Sequence, residues 1–125
     1  MAEIPRTRQG YATVSVRLVV AELDQQVAFL RAVFGAEGDV EPGRPVELRI
    51  GDSTVMVTEA GPRDAASAVL YVYVDDADAA YERALAAGAL TMEAPIDTPY
   101  GDRRCMVGDA FGNVYQIAHV LSDDG

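Results

Sequence analysis

Residues 99–119 hold Tyr100, the adjacent Arg103 and Arg104, the single cysteine Cys105, Gln116 and the single histidine His119, so most of the chain's polar chemistry falls in one stretch. A thiol and an imidazole form a nucleophile pair only when the fold brings them within hydrogen-bond reach, and two neighbouring strands do not by themselves do so. The expectation is therefore a buried, inert Cys105 and a structural or strand-end His119. If both arginines lie in a strand, they point to opposite faces, and Arg103 is the one expected to anchor a ligand. All ten basic residues are arginine, which removes Schiff-base and amine-base mechanisms that need lysine.

Charge narrows the partners further. Twenty acidic residues oppose ten basic ones, for a formal net charge of -10. A polyanion needs a basic face, so nucleic acid and anionic membranes are excluded as partners, and a neutral or cationic small molecule is favoured. Half of the 125 residues are hydrophobic, enough for one domain, residues 1–125, with its own core. A lone cysteine, no apolar run long enough to span a membrane and no signal-peptide core lead to the expectation of a soluble cytoplasmic protein.

Positioning the chemical residues falls to a set of strands and helices. Around Gly108-Asp109-Ala110-Phe111-Gly112-Asn113, residues 103–107 and 114–120 read as a hairpin, with Tyr100-Gly101-Asp102 as the turn before it. Earlier, residues 11–20 alternate, with Val14, Val16, Leu18 and Val20 on one face and Ser15, Arg17 and Val19 on the other. Leu23, Val27, Leu30 and Phe34 follow at helical spacing, closed by Gly35. Residues 46–50 and 54–58 flank Gly51-Asp52-Ser53 as a second hairpin; pairing Ile50 with Ser53 sets Glu47 opposite Met56 and Arg49 opposite Thr54. Residues 38–45 leave room for one short, irregular strand more.

The second half repeats this order. Residues 69–74 form a strand, Asp76 caps a helix with an Ala77, Ala80, Tyr81, Ala84 and Leu85 stripe, Gly88 ends it, and residues 90–94 make a short strand. An offset of 54 sets Val20 on Val74, Glu22 on Asp76 and Val27 on Tyr81. The fold class is therefore α+β: two βαβββ modules, about 11–60 and 68–121, whose curved sheets form a cup. The oily strand faces, including Leu70, Val72 and Val74, should meet the helices. Val69, Tyr71 and Tyr73 then line the cup with Ser15, Arg17 and Val19.

Four segments carry a family resemblance: Leu18-Val19-Val20 leading to Val33-Phe34-Gly35-Ala36, the hairpin around Ile50-Gly51-Asp52-Ser53, residues 71–88, and Tyr100-Gly101-Asp102-Arg103 through Gly112-Asn113. Together they resemble the vicinal oxygen chelate superfamily of glyoxalases, bleomycin resistance proteins and dioxygenases, and within it the PhnB-like subgroup. Ala110 stands where the family commonly has proline. In the family's metalloenzymes, cup-facing strands each contribute a His or carboxylate ligand; the resemblance places these on Ser15, Met56, Val69 and Gln116. None has the donor a divalent ion needs, so neither metal nor cofactor is expected. What the resemblance then implies is a metal-independent small-molecule binding protein, as in antibiotic sequestration. The alternative is a lyase, isomerase or dioxygenase of the same superfamily with ligands elsewhere, Glu47 first among them. The expected ligand-binding set is Ser15, Arg17, Glu47, Met56, Val69, Tyr71, Tyr73, Tyr100, Arg103 and Gln116, serving a cationic or aromatic ligand, in a homodimer.

Overall fold

A computed structural model describes residues 4–8, 10–61 and 64–121. In chain order the elements are β1 (Val16–Val20), α1 (Leu23–Phe34), β2 (Val46–Ile50), β3 (Ser53–Glu59), β4 (Val69–Tyr73), α2 (Ala77–Ala86), β5 (Leu90–Asp97), β6 (Asp102–Gly108) and β7 (Val114–Val120). They form a three-stranded sheet in the order β1-β3-β2 and a four-stranded sheet in the order β4-β7-β6-β5. In each, the first strand runs parallel to the last, because the helix between them carries the chain back across the sheet.

Local chemistry explains most boundaries. The α1 helix ends where Gly35 takes a left-handed conformation (φ 65°), and its N–H reaches back to the Arg31 carbonyl. At the start of α2, Asp76 Oδ1 accepts the Ala79 N–H at 3.1 Å. The β2–β3 register is Ile50 with Ser53, Arg49 with Thr54 and Glu47 with Met56, as the two-residue loop dictates.

Leu18, Val20, Leu30, Leu48, Val57, Cys105, Val107, Tyr115 and Ile117 are essentially inaccessible and belong to one continuous core that spans both modules. The helices differ in how they fill it. Val27, Phe29, Leu30 and Val33 make α1 a bulky contributor, whereas α2 buries only Ala77, Ala80 and Ala84 and so can lie close to its sheet.

Several expectations need correction. β1 begins at Val16, and Val14, whose place in the same register is opposite Ser53 at the exposed start of β3, is 77% exposed and outside the core. In the first module the fourth strand shrinks to a single bridge between Glu37 and Arg49, beside Gly38, where an added Cβ would lie 2.6 Å from the Glu47 carbonyl oxygen. β5 continues through Pro95 to Asp97 by shifting register twice, which an edge strand tolerates. Asp102 is not a turn residue but the buried first residue of β6. Leu70, Val72 and Val74 are half-buried against the core rather than sealed in it. The acidic pair Asp123-Asp124 lies outside the described residues.

The modules are joined by a buried polar network. Gln26 of α1 donates through Nε2 to Tyr115 Oη (3.1 Å) and Asp109 Oδ2 (3.2 Å), and accepts from Asn113 Nδ2 at 2.8 Å. Asp109 Oδ1 takes the N–H groups of Phe111 and Asn113, which shapes the β6–β7 loop, and Asn113 Oδ1 takes the Ala68 N–H. Phe29 and Phe34 pack their rings on Tyr115, each with centroids 5.4 Å away. This fastens the first module's helix to the second module's hairpin within one chain.

Candidate functional site

On the face of the second sheet away from its helix, register places Tyr71, Gln116 and Met106 in one row and Tyr73, Ala118 and Arg104 in the next. Ala118 is fully buried although it lies on this face. Its small side chain lets the phenols of Tyr71 and Tyr73 cross β7 and reach β6. There both hydroxyls donate to the same oxygen, Asp102 Oδ2, at 2.6 and 2.9 Å. Tyr71 and Tyr73 have ring centroids 5.3 Å apart, tilted by 54°.

Asp102 is held firmly. Its N–H donates to Thr98 Oγ1, and its carbonyl accepts from both the N–H and the hydroxyl of Thr98. Only 5% of the residue is exposed, and among the described residues no cation lies within ion-pair distance of its carboxylate. The nearest compensation is indirect. Arg104 Nη1 donates to Tyr100 Oη (2.8 Å), which stands 3.3 Å from Tyr71 Oη, while Arg104 Nη2 is neutralised by Glu93 at 2.7 Å. Arg104 Nε is buried with no acceptor among the described residues. Burial, then the bonds to Asp102 and Tyr100, raise Tyr71 well above the usual tyrosine value; for Tyr73 the bond to Asp102 comes first. Both remain neutral donors.

Arg103, expected to face the ligand, points to the helix side. Its Nε and Nη2 clasp Asp78 of α2 at 2.8 and 3.0 Å, and Nη1 holds Asp97 at 2.9 Å. The arginine on the open face is Arg104. Strand parity carried the signal: Arg103 shares a face with Cys105 and Val107, both fully buried, and Arg104 shares one with Asp102 and Met106. Arg104 is the less favoured of the two adjacent arginines, and Asp102 and Glu93 carry no mark in the sequence as members of this face.

Cys105 is inaccessible, and burial pushes its thiol up, away from the nucleophilic thiolate. His119 Nδ1 accepts the Ala77 N–H at 2.8 Å, which places its proton on Nε2 and makes it part of the α2 cap.

The remaining expected residues fall into a separate row on the first sheet, where Arg17, Met56 and Glu47 lie side by side. Arg17 Nη2 approaches Met56 Sδ at 3.7 Å. Glu47 accepts a hydrogen bond from the Tyr11 hydroxyl, and Arg49 donates to the Gly10 carbonyl, so the segment before β1 lies on this row. Ser15, half-buried, just precedes β1. Val69 opens β4 and is 67% exposed. Among the described residues no hydrogen bond joins the two rows. Beside the tyrosines an apolar groove of about 470 Å³ runs between the β2–β3 turn and β4, lined by Val16, Val55, Leu70, Val72, Tyr71 and Tyr73.

Ser15, Met56, Val69 and Gln116 do not fit a divalent ion. A valine has no donor, Met56 offers only sulfur, and Ser15 and Gln116 bring no charge. Among the described residues no group of three or more His, Cys, Asp or Glu side chains is placed to hold a metal.

The model of the Glyoxalase/Bleomycin resistance protein/Dioxygenase superfamily matches residues 12–117, and the chain belongs to that superfamily. Its fold is similar to that of TioX from Micromonospora sp. ML1, at 26% identity over 89% of this chain and 98% of that one, with a TM-score of 0.72. A glyoxalase/bleomycin resistance protein/dioxygenase family enzyme from Burkholderia phytofirmans PsJN, 23% identical over 86% of this chain and 97% of that one, also has a TM-score of 0.72. For lactoylglutathione lyase from Agrobacterium tumefaciens the values are 24%, 86%, 92% and 0.67. These last two likenesses speak for the fold alone. No curated protein matches the chain. No helix among the described residues is long and apolar enough to cross a membrane.

Proposed function

We propose that this protein binds a small organic molecule without a metal, as a PhnB-like member of its superfamily that sequesters its ligand rather than converting it. The observation that carries this reading is the open face of the second sheet: Tyr71, Tyr73 and Tyr100 are 39%, 61% and 47% exposed there, fixed by Asp102 and Arg104 and adjoining an apolar groove. Rigid amphipathic rings beside apolar surface favour non-covalent binding of a planar or aromatic compound. A metal-dependent reaction would need hard donors where Ser15, Met56, Val69 and Gln116 stand, and the one carboxylate in the first row, Glu47, is engaged by Tyr11.

Antibiotic sequestration by a homodimer is the corresponding biological role, with exposed Val69, Leu90, Met92 and Ile96 along the outer strands of the second sheet as apolar surface for a second copy. A thermal-shift screen of cationic and neutral aromatic compounds, antibiotics included, tests the reading. Several should raise the melting temperature equally with and without chelator. A response only in the presence of one divalent metal would overturn it. Light scattering should give twice the chain mass; a stable monomer would remove the dimer.

A further inference from the structure

The carboxylate of Asp102 sits at the hydroxyl ends of two exposed phenol rings, and no cation is within ion-pair distance of it among the described residues. On this face the neighbouring charges cancel, since Arg104 is matched by Glu93, while on the opposite face Arg103 is outnumbered by Asp78 and Asp97 and leaves no cation over. What remains is a single buried negative charge reached through tyrosine. A phenol that donates to a carboxylate becomes richer in π-electron density, because the shared proton leans toward the acceptor. Its ring face then attracts a cation more strongly than that of an ordinary tyrosine. Tyr71 and Tyr73 both donate to Asp102 Oδ2, and their rings lie side by side, with centroids 5.3 Å apart and planes tilted by 54°.

We propose that Tyr71 and Tyr73, backed by Asp102 and flanked by Tyr100, form a subsite for an alkylammonium group, so that the ligand is an amine or quaternary ammonium compound. The inference rests on the binding reading above and narrows it to a ligand chemistry. An alkylammonium suits the geometry because its positive charge is spread over N-methyl or methylene hydrogens that can lie on a ring face without losing a hydrogen-bonded water shell. A metal cation would need oxygen ligands, which the rings do not supply. The rest of the ligand has the adjoining apolar groove in which to place its hydrocarbon or aromatic body.

Choline and its neutral isostere 3,3-dimethylbutan-1-ol differ in the charge of one central atom, and their binding to the intact protein can be followed by tyrosine fluorescence, since the chain has no tryptophan. Choline should bind about tenfold more tightly than the alcohol, within the range of a partly desolvated cation–π site. Asp102→Asn, which keeps the shape, should reduce that preference to about twofold by removing the charge behind the rings. Tyr73→Phe keeps the ring and removes one donor, so it serves if the buried variant fails to fold. It should weaken choline severalfold more than it weakens the alcohol. Equal binding of the two probes by the natural protein, no saturable binding of choline, or an unchanged preference in Tyr73→Phe would each overturn the ammonium subsite. If aromatic compounds still raise the melting temperature in that case, the binding reading stands without it; if they do not, both fall together.

Discussion

The two modules share a helix-crossed sheet but differ in what they leave open. On the first sheet, Arg17, Met56 and Glu47 form a row in which Glu47 is engaged by Tyr11 and the exposed Arg17 makes a 3.7 Å contact with the Met56 sulfur. On the second, Tyr71, Tyr73 and Tyr100 stand open to solvent over a buried carboxylate that no cation matches among the described residues. Repeating a backbone plan therefore does not repeat its chemistry. The helix-facing residues must stay apolar in both halves to fill one core, while the outward rows are under no such constraint and can diverge. Binding energy is available where polar groups are organised but unsatisfied, which is the second module.

This contrast can be challenged at several levels. The largest effect should come from the shared scaffold: Leu48→Ala in the first module, at a fully buried position, should lower stability by about 2 to 5 kcal/mol through the cavity it leaves. Denaturant melts measure this, and a silent Leu48→Ala would break the single-core description. Next is the join between modules. Gln26→Leu leaves the Asn113 amide N–H without its acceptor and the Tyr115 hydroxyl with only its bond to Asp109 (2.7 Å), and should cost about 1 to 3 kcal/mol. A separate melting step for each module in that variant would show that this network is what makes them one unit.

Tyr71→Ala should weaken ligand binding by about 1 to 3 kcal/mol and alter stability less, whereas Arg17→Ala on the first sheet should leave binding alone. The reverse result in calorimetry would exchange the roles of the two faces. Leu70→Ala should cost less than Leu48→Ala, since Leu70 is only half-buried.

Alkaline titration gives a subtler comparison. Tyr71, Tyr73 and Tyr115 are raised above the ordinary value of 10.0, so three of the six tyrosines should stay protonated past it. A raised folded-state value means that the stabilisation is fully present below pH 10 and is lost as the pH climbs through the raised values. Ultraviolet absorbance should therefore show the late tyrosines ionising together with unfolding. Tyr71, Tyr73 and Tyr115 ionising near the ordinary value would undo the bonds of the first two to Asp102 and of Tyr115 to Asp109. Smallest of all is the response to chelator, for which no shift in melting temperature is expected, because Ser15, Met56, Val69 and Gln116 do not supply the donor set that a divalent ion needs.

Sequence alone determined what short-range chemistry decides. A two-residue turn sets the β2–β3 register, Gly35 stops one helix and Asp76 starts the other, and apolar spacing shows two copies of one plan. The tyrosines were legible too, since Tyr71 and Tyr73 alternate with apolar Leu70 and Val72. Only the tertiary structure decided that Arg104 rather than Arg103 shares their face, because parity shows that the two oppose each other while the burial of Cys105 and Val107 assigns Arg103 to the helix side, and Asp102 reads locally as part of a turn. Pairing that residue with Val120 buries it, and a small Ala118 from a third strand lets two phenols reach it. Gln26 likewise looks like an ordinary surface position on a helix until the second module's loop, more than eighty residues later, closes over it. Contacts between residues distant in sequence carry no local signature, and this candidate site is made almost entirely of them.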